Sequence, residues 1–338
     1  MRILVIMKSN SAHIALAIII GICIISSCNK HTQEIANTKE GSNIESVVKS
    51  SPSSEGLELI VLGIAQDAGY PQIDCKKSCC TEVWSNRVKR KMVSCIGIRD
   101  YESGKMWLFD ATPDIKDQLH MLDANGAFSL EGIFLTHAHM GHYTGLMHLG
   151  KEAKGANSVN VYAMPKMSDF LKNNGPWSQL VDLKNIDINP IQDKTKLSLS
   201  NDLTVTPIQV PHRDEFSETV GYIIASESRK VLFIPDIDKW DKWDENISDY
   251  VKDVDLALLD GSFYQNGEIW GRDMSQIPHP FIVESMKHFD ELETSDKSKI
   301  HFIHFNHTNP LLREESEAYQ SFMKTDYKLA NEGMTYKF

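Results

Sequence analysis

The chain has 338 residues, of which 41% are hydrophobic and 24% charged. That is globular composition, and it excludes a disordered or collagen-like chain. A formal net charge of −11 argues against the cationic face that generic nucleic-acid binding needs, so no nucleic-acid partner is expected.

A targeting segment comes first. Arg2 and Lys8 give a positive start, and residues 14–25 form an apolar run of about a dozen residues, right for a signal segment and short for a membrane span. Ile25-Ser26-Ser27-Cys28 resembles the processing site of bacterial lipoproteins. The resemblance implies cleavage before Cys28 and lipidation there, hence an exported protein held to a membrane by acyl chains, on the periplasmic or cell-surface side. A plain secretory signal with Cys28 incidental is the alternative. Residues 1–27 are thus expected as signal, 28–56 as a polar flexible tether without apolar periodicity, and 57–338 as the folded domain.

Within the domain, residues 57–62 read as a buried strand ending at Gly63, followed by a long loop with Gly69, Pro71 and three cysteines. Short strand-like runs follow at 94–99 and 105–109 around a Glu102-Ser103-Gly104 turn, then a buried strand at 132–136. Further strands are expected at 159–163, 203–210, 220–225, 230–234, 255–259 and 300–305. Apolar spacing of helical period appears at 112–122, 142–149, 166–172, 280–292 and 310–324. Strands come first in hairpin-like pairs and later alternate with helices. That order suggests an α/β fold of sheet packed on sheet with helices outside.

The richest chemical signal is Leu135-Thr136-His137-Ala138-His139-Met140-Gly141-His142. His137 and His139 leave the strand end on an extended segment, and His142 opens the following helix. Neutral imidazole is the commonest protein ligand for zinc, and three such rings directly after a buried strand favour a metal site over incidental histidines.

These residues resemble the signature of the metallo-β-lactamase superfamily, a strand followed by His-x-His-x-Asp-His. The resemblance implies an αββα sandwich over 57–338. It carries over three later positions: His212 in Gln-Val-Pro-His, Asp236 in Phe-Ile-Pro-Asp and His304 in His-Phe-Ile-His. His137, His139 and His212 would hold a first metal, and His142, His304 and a bridging Asp236 a second. Gly141 stands where the superfamily has an Asp that ligates the second metal, so one active-site metal or two remains open. Asp67 is a candidate substitute, against a simple turn role. Asp110 and Asp260 end strands; each either supports a ligating His through its far ring nitrogen or makes turn bonds.

Cys75, Cys79 and Cys80 form a second cluster, with His307 three residues beyond His304. Close thiolates suit a structural zinc, and a disulfide is the alternative in an exported protein. The loop resembles that of the coenzyme PQQ biosynthesis B family. Loop and histidine together resemble the cyclic phosphate phosphodiesterase of phosphonate breakdown. Cys95, inside a strand, reads as a small core residue.

The expected activity is a zinc-dependent hydrolase using metal-activated water on an ester, lactone or phosphodiester, with Asp236 positioning the water and His304 donating a hydrogen bond to developing charge. The expected cofactor is Zn2+, one or two ions in the active site and one structural, with iron the alternative. The PQQ-family resemblance implies iron-dependent oxidation as a second function, and a non-catalytic ligand-binding lipoprotein is a third. The substrate is a small molecule, with residues 151–157, 173–179 and 265–280 as pocket walls and Trp177 and Trp270 as stacking groups.

Overall fold

The computed structural model describes residues 56–123 and 125–338. The expected signal segment, Cys28 and the tether up to residue 55 lie outside them.

The first part of the described chain lays down β1 (Leu57–Gly63), β2 (Cys95–Asp100), β3 (Lys105–Phe109), β4 (Ser129–Phe134), β5 (Val159–Ala163) and β6 (Ile186–Pro190) as one sheet. β1, β2 and β3 pair antiparallel, and β3 through β6 pair parallel. The chain then repeats this plan in a second sheet with β7 (Leu197–Ser198), β8 (Thr204–Gln209), β9 (Val220–Ala225), β10 (Lys230–Ile234), β11 (Leu256–Asp260), β12 (Ile300–Ile303) and β13 (Lys328–Leu329). Here the antiparallel run is β7 to β10 and the parallel run β10 to β13. A last strand, β14 (Thr335–Lys337), returns to pair antiparallel with β1, giving each sheet seven strands. The repeat is one of topology and shows no sequence period.

Side chains of a strand alternate between its two faces. Leu57, Leu59 and Val61 join Ile96, Ile98, Trp107, Phe109 and Phe134 in one core shared with the second sheet, while Ile60, Leu62, Cys95, Met106 and Leu108 face the other way. Between the sheets, Phe109 meets Tyr222 at 5.4 Å and Phe233 at 6.4 Å. The Tyr222 hydroxyl donates to the Leu135 carbonyl at 2.5 Å, tying β9 to the end of β4. Helices Ile115–Leu122, Pro165–Asn173 and Trp177–Asp182 supply the apolar cover of the first sheet's outer face. Phe302 meets Phe322, on helix Glu317–Phe322, on the outer side of the second. The αββα sandwich is therefore the observed fold. Cys95 is fully buried in the outer core of the first sheet.

Several local expectations need correction. The cysteine loop contains a helix, Ser78–Ser85. The expected helix over 310–324 divides into a 3-10 turn, Pro310–Leu312, and helix Glu317–Phe322, because Ser316 caps the latter by accepting from the Tyr319 N–H at 3.0 Å. The 142–149 stretch is one α-turn, Met140–Tyr143, followed by 3-10 backbone, Thr144–Leu149. Strands β7, β13 and β14, of two or three residues, are too short to carry a pattern and are held by their ladders, whereas β6 alternates, with Ile186 and Ile188 packed in the first sheet's outer core.

The carboxyl ends of β4, β8, β10, β11 and β12 open toward one edge of the sandwich, where ligands bind in open α/β sheets. Close packing of the covering helix supports that edge: a Cβ on Gly97 would lie 2.6 Å from Leu122 Cδ1 and 3.0 Å from Leu62 Cδ1. Gly97→Val is expected to destabilise the fold by about 1–3 kcal/mol through overpacking, seen as a lower urea midpoint at an unchanged slope.

Candidate metal centre

Each functional side chain follows a strand whose apolar run has just ended. After β4, His137 and His139 leave on extended backbone, and His139 is the N-cap of the Met140–Tyr143 turn that carries His142. His212 follows β8, Asp236 follows β10 and His304 follows β12. His304 (φ 68°) and Asp110 (φ 72°), which follows β3, both adopt the left-handed region. That conformation is unfavourable for residues with a Cβ and clusters at functional sites.

The structure brings the expected ligands together in two adjoining sets. The ligand atoms of His137, His139, His212 and Asp236 lie within 4.8 Å of one another, as do those of Asp67, His142 and His304. Asp236 stands between the sets. Its Oδ2 is 3.3 Å from His137 Nε2 and 3.8 and 3.9 Å from the Nε2 atoms of His142 and His304; its Oδ1 is 3.3 Å from His212 Nε2. Nε2 of His137, His142, His212 and His304, with Oδ1 of Asp67 and Asp236, are buried and have no hydrogen-bond partner. Buried polar atoms are otherwise nearly always paired, so six converging orphans fit a cation in their midst.

The opposite ring nitrogens are occupied, which fixes the tautomers. His142 Nδ1–H donates to Asp110 Oδ2 at 2.7 Å, and Asp110 also accepts from the Thr136 N–H at 2.8 Å. His137 Nδ1 meets the Thr136 hydroxyl at 3.0 Å, His212 Nδ1 meets Asp238 Oδ1 at 3.1 Å and His304 Nδ1 meets Ser262 Oγ at 2.9 Å. Each pairing leaves a lone pair on Nε2 for a metal. His139 is inverted, with Nδ1 4.0 Å from Asp236 Oδ2 and Nε2 near Glu215.

Electrostatics agree with ligation. Burial, reinforced by His142, drives the His137 pKa well below its ordinary value, so this ring stays neutral. Burial lowers His304 in the same sense. Burial would raise the Asp236 pKa, yet the surrounding imidazoles of His212, His279 and His304 outweigh it and keep the carboxyl well below its usual range. Burial also opposes charge on His142, but Asp110 and Asp67 outweigh it and raise its pKa. A cation binding there replaces that proton.

His279 belongs to the site and was not singled out by sequence, because it sits in Ile-Pro-His-Pro inside a loop with no strand before it. Its Nδ1 is 2.8 Å from Asp260 Oδ2 and 3.1 Å from Asp236 Oδ1. Asp260 therefore holds His279, and its other oxygen accepts the Ser262 N–H at 2.8 Å. Trp177 packs between Tyr143 and Phe170 at 4.9 and 5.6 Å, whereas Trp270 is 94% exposed.

The cysteine cluster also assembles. Cys75 and Cys79 sulfurs are 3.8 Å apart, and His307 Nδ1 is 3.6 Å from Cys79 Sγ and 3.3 Å from Cys80 Sγ. The three thiols are unbridged, the sulfur spacing being far beyond the about 2 Å of a disulfide. Burial pushes the Cys80 thiol up to about 12, so its thiolate needs a cation beside it. Three sulfurs and one imidazole nitrogen are a common structural zinc set.

Comparison with known proteins agrees with this geometry. The family described as Beta-lactamase superfamily domain matches residues 106–305. The chain is 24% identical over 310 residues to the coenzyme PQQ synthesis protein B of Acinetobacter baumannii (strain AYE), covering 82% of this chain and 99% of that one. Among solved structures, Zn(2+)-bound PqqB from Methylobacterium extorquens is similar with a TM-score of 0.68 at 21% identity, over 83% of this chain and all of that one. A diphosphatase from the PhnP family is similar with a TM-score of 0.58 at 20% identity, over 83% and 97%. The fold is common ground with these structures, and the His and Asp clusters of this chain could hold a divalent metal such as zinc.

Because Asp110 sets the tautomer of His142, Asp110→Asn is expected to weaken metal binding by about 10–100-fold, measured by competition with a chromogenic chelator.

Proposed function

The chain belongs to the beta-lactamase superfamily, and on that footing we propose that it is a metal-dependent hydrolase of a small ester, lactone or phosphodiester. His137, His139, His212 and Asp236 hold a first metal; His142 and His304, with Asp236 shared, hold a second. The single observation that carries this reading is the convergence of buried, unpartnered ligand atoms on one spot. A divalent metal bound there supplies Lewis acidity and brings the pKa of water to near neutrality, about 7.

The chain's own residues do the rest. Asp236, whose Oδ2 faces His137 of the first set and His142 and His304 of the second, would accept a hydrogen bond from the attacking water and orient it. His304 is committed on both ring nitrogens, Nδ1 to Ser262 and Nε2 to the centre, which favours ligation over the donor role expected from sequence. His279 is better suited to that role: Asp260 occupies its Nδ1, and Nε2 remains to hand a proton to the leaving oxygen. Arg90 and Lys91 line a cavity of about 440 Å³ together with Asp67, Asp114, Asp117 and Met140. Arg90 also stacks on Trp84 at 5.7 Å, on the same wall. Cys75, Cys79, Cys80 and His307 hold a structural zinc, and the protein is exported and lipid-anchored at Cys28.

A second reading, oxidation with iron in PQQ synthesis, draws on the similarity to PQQ synthesis protein B across 82% of the chain, and imidazole–carboxylate sets also suit iron. Oxygen uptake together with iron content of the purified protein separates the two.

Chelation is expected to abolish hydrolysis of bis(p-nitrophenyl) phosphate and zinc to restore it; full turnover after metal removal would refute the hydrolase. His279→Gln is expected to lower kcat by about 10²–10⁴-fold with poor leaving groups. With p-nitrophenolate, which departs without a proton, the loss should be much smaller and metal content unchanged.

A further inference from the structure

The centre as proposed is one ligand short on its second side. Gly141 offers no side chain, leaving His142, His304 and an oxygen shared from Asp236. From the opposite direction comes Asp67, on the loop after β1. Its Oδ1 is buried without a hydrogen-bond partner and lies 3.2 Å from His142 Nε2. It falls within 4.8 Å of the ligand atoms of both His142 and His304.

The space around Gly141 explains why the two positions are linked. A Cβ there would lie 2.4 Å from Asp67 Oδ1, 2.5 Å from Asp67 Cα and 3.1 Å from Asp67 Cβ. Non-bonded carbons settle at about 3.5–4.0 Å, so no side chain at 141 coexists with Asp67 where it stands. The obstruction includes backbone, which a rotamer change of Asp67 does not relieve. We infer that Asp67 is the carboxylate ligand of the second metal, taking the place that residue 141 cannot fill because the two occupy one volume from opposite sides.

The Asp67 loop is built to hold that position. The Gln66 N–H donates to the Phe305 carbonyl at 2.9 Å, and Asn306 Nδ2 donates to Gln66 Oε1 at 2.5 Å. Both partners immediately follow His304, so the new ligand and an established candidate are fixed to each other through two chain segments. Ala65 bridges to Phe305 and Val93 in addition. The Asp67 side chain is 27% exposed and borders the cavity that contains Arg90 and Lys91. The loop that closes the second site is thus also a wall of the substrate cavity. A metal-bound Asp67 would couple occupancy of that site to the shape of the pocket.

The inference rests on the metal-centre reading, and zinc stoichiometry separates their failures. The full chain is loaded with zinc, desalted and assayed by elemental analysis in four forms: unaltered, Asp67→Asn, Gly141→Asp and His212→Ala. Asp67→Asn is isosteric and is checked for folding by circular dichroism. It is expected to lose one equivalent of zinc, or to bind that equivalent more than about 10-fold more weakly. Gly141→Asp alone is expected to lose the same equivalent with a lower Tm, because its Cβ would lie 2.5 Å from the Asp67 Cα. Full zinc content in Asp67→Asn would overturn the assignment and leave Asp67 a hydrogen-bond partner of His142. Full zinc content and an unchanged Tm in Gly141→Asp would overturn the exclusion of a side chain at 141. If His212→Ala also leaves zinc content unchanged, the histidine centre itself fails, and the inference with it.

Discussion

A carboxylate with almost no access to water stands among six imidazoles. Asp236 is 2% exposed, within 4.0 Å of His137, His139, His142, His212, His279 and His304 counted by their nearest ring nitrogens. Burying an ionised group without compensation is costly. Compensation by hydrogen bonds alone is incomplete here, since one Asp236 oxygen and several facing nitrogens lack partners. The arrangement is balanced only with positive charge at its centre. Everything around it follows from holding these groups in place: the committed Nδ1 atoms, the left-handed Asp110 and His304, and the aromatic contacts that seat one sheet on the other.

The two sheets share a plan, an antiparallel run that continues into parallel strands. In parallel strands the carboxyl ends point the same way, so residues that follow them accumulate at one edge. The first sheet contributes Asp110 and the His137–His142 segment. The second contributes His212, Asp236, Asp260 and His304. Neither sheet could complete the set alone, and the Tyr222–Leu135 hydrogen bond joins them one turn of chain from His137.

The two candidate metal positions are also mechanically related. The loop after β1 carries Asp67 and then Cys75, Cys79 and Cys80; the segment after β12 carries His304 and then His307. A zinc at the cysteine cluster clamps the same two segments that furnish Asp67 and His304.

Much of this was legible in the amino-acid order. A buried strand writes itself as a run of apolar residues, and an imidazole or carboxylate immediately after such a run is placed at a sheet edge by the run's length. His137, His139 and His142 were recognisable on that basis, as was the layering of sheet on sheet from the order of strands and helices; His212, Asp236 and His304 were legible through the resemblance to the superfamily signature. The cysteines announced themselves by spacing. What the order of residues left open was whatever arises between distant segments. His279 follows no strand and enters the site because the loop before helix Ile282–His288 folds back over Asp260. The edge strands β7, β13 and β14 take their geometry from neighbouring ladders and are too short for a pattern of their own. The relation of Asp67 to Gly141 concerns a single volume approached by two loops 74 positions apart, and only packing in three dimensions brings such a pair into contact.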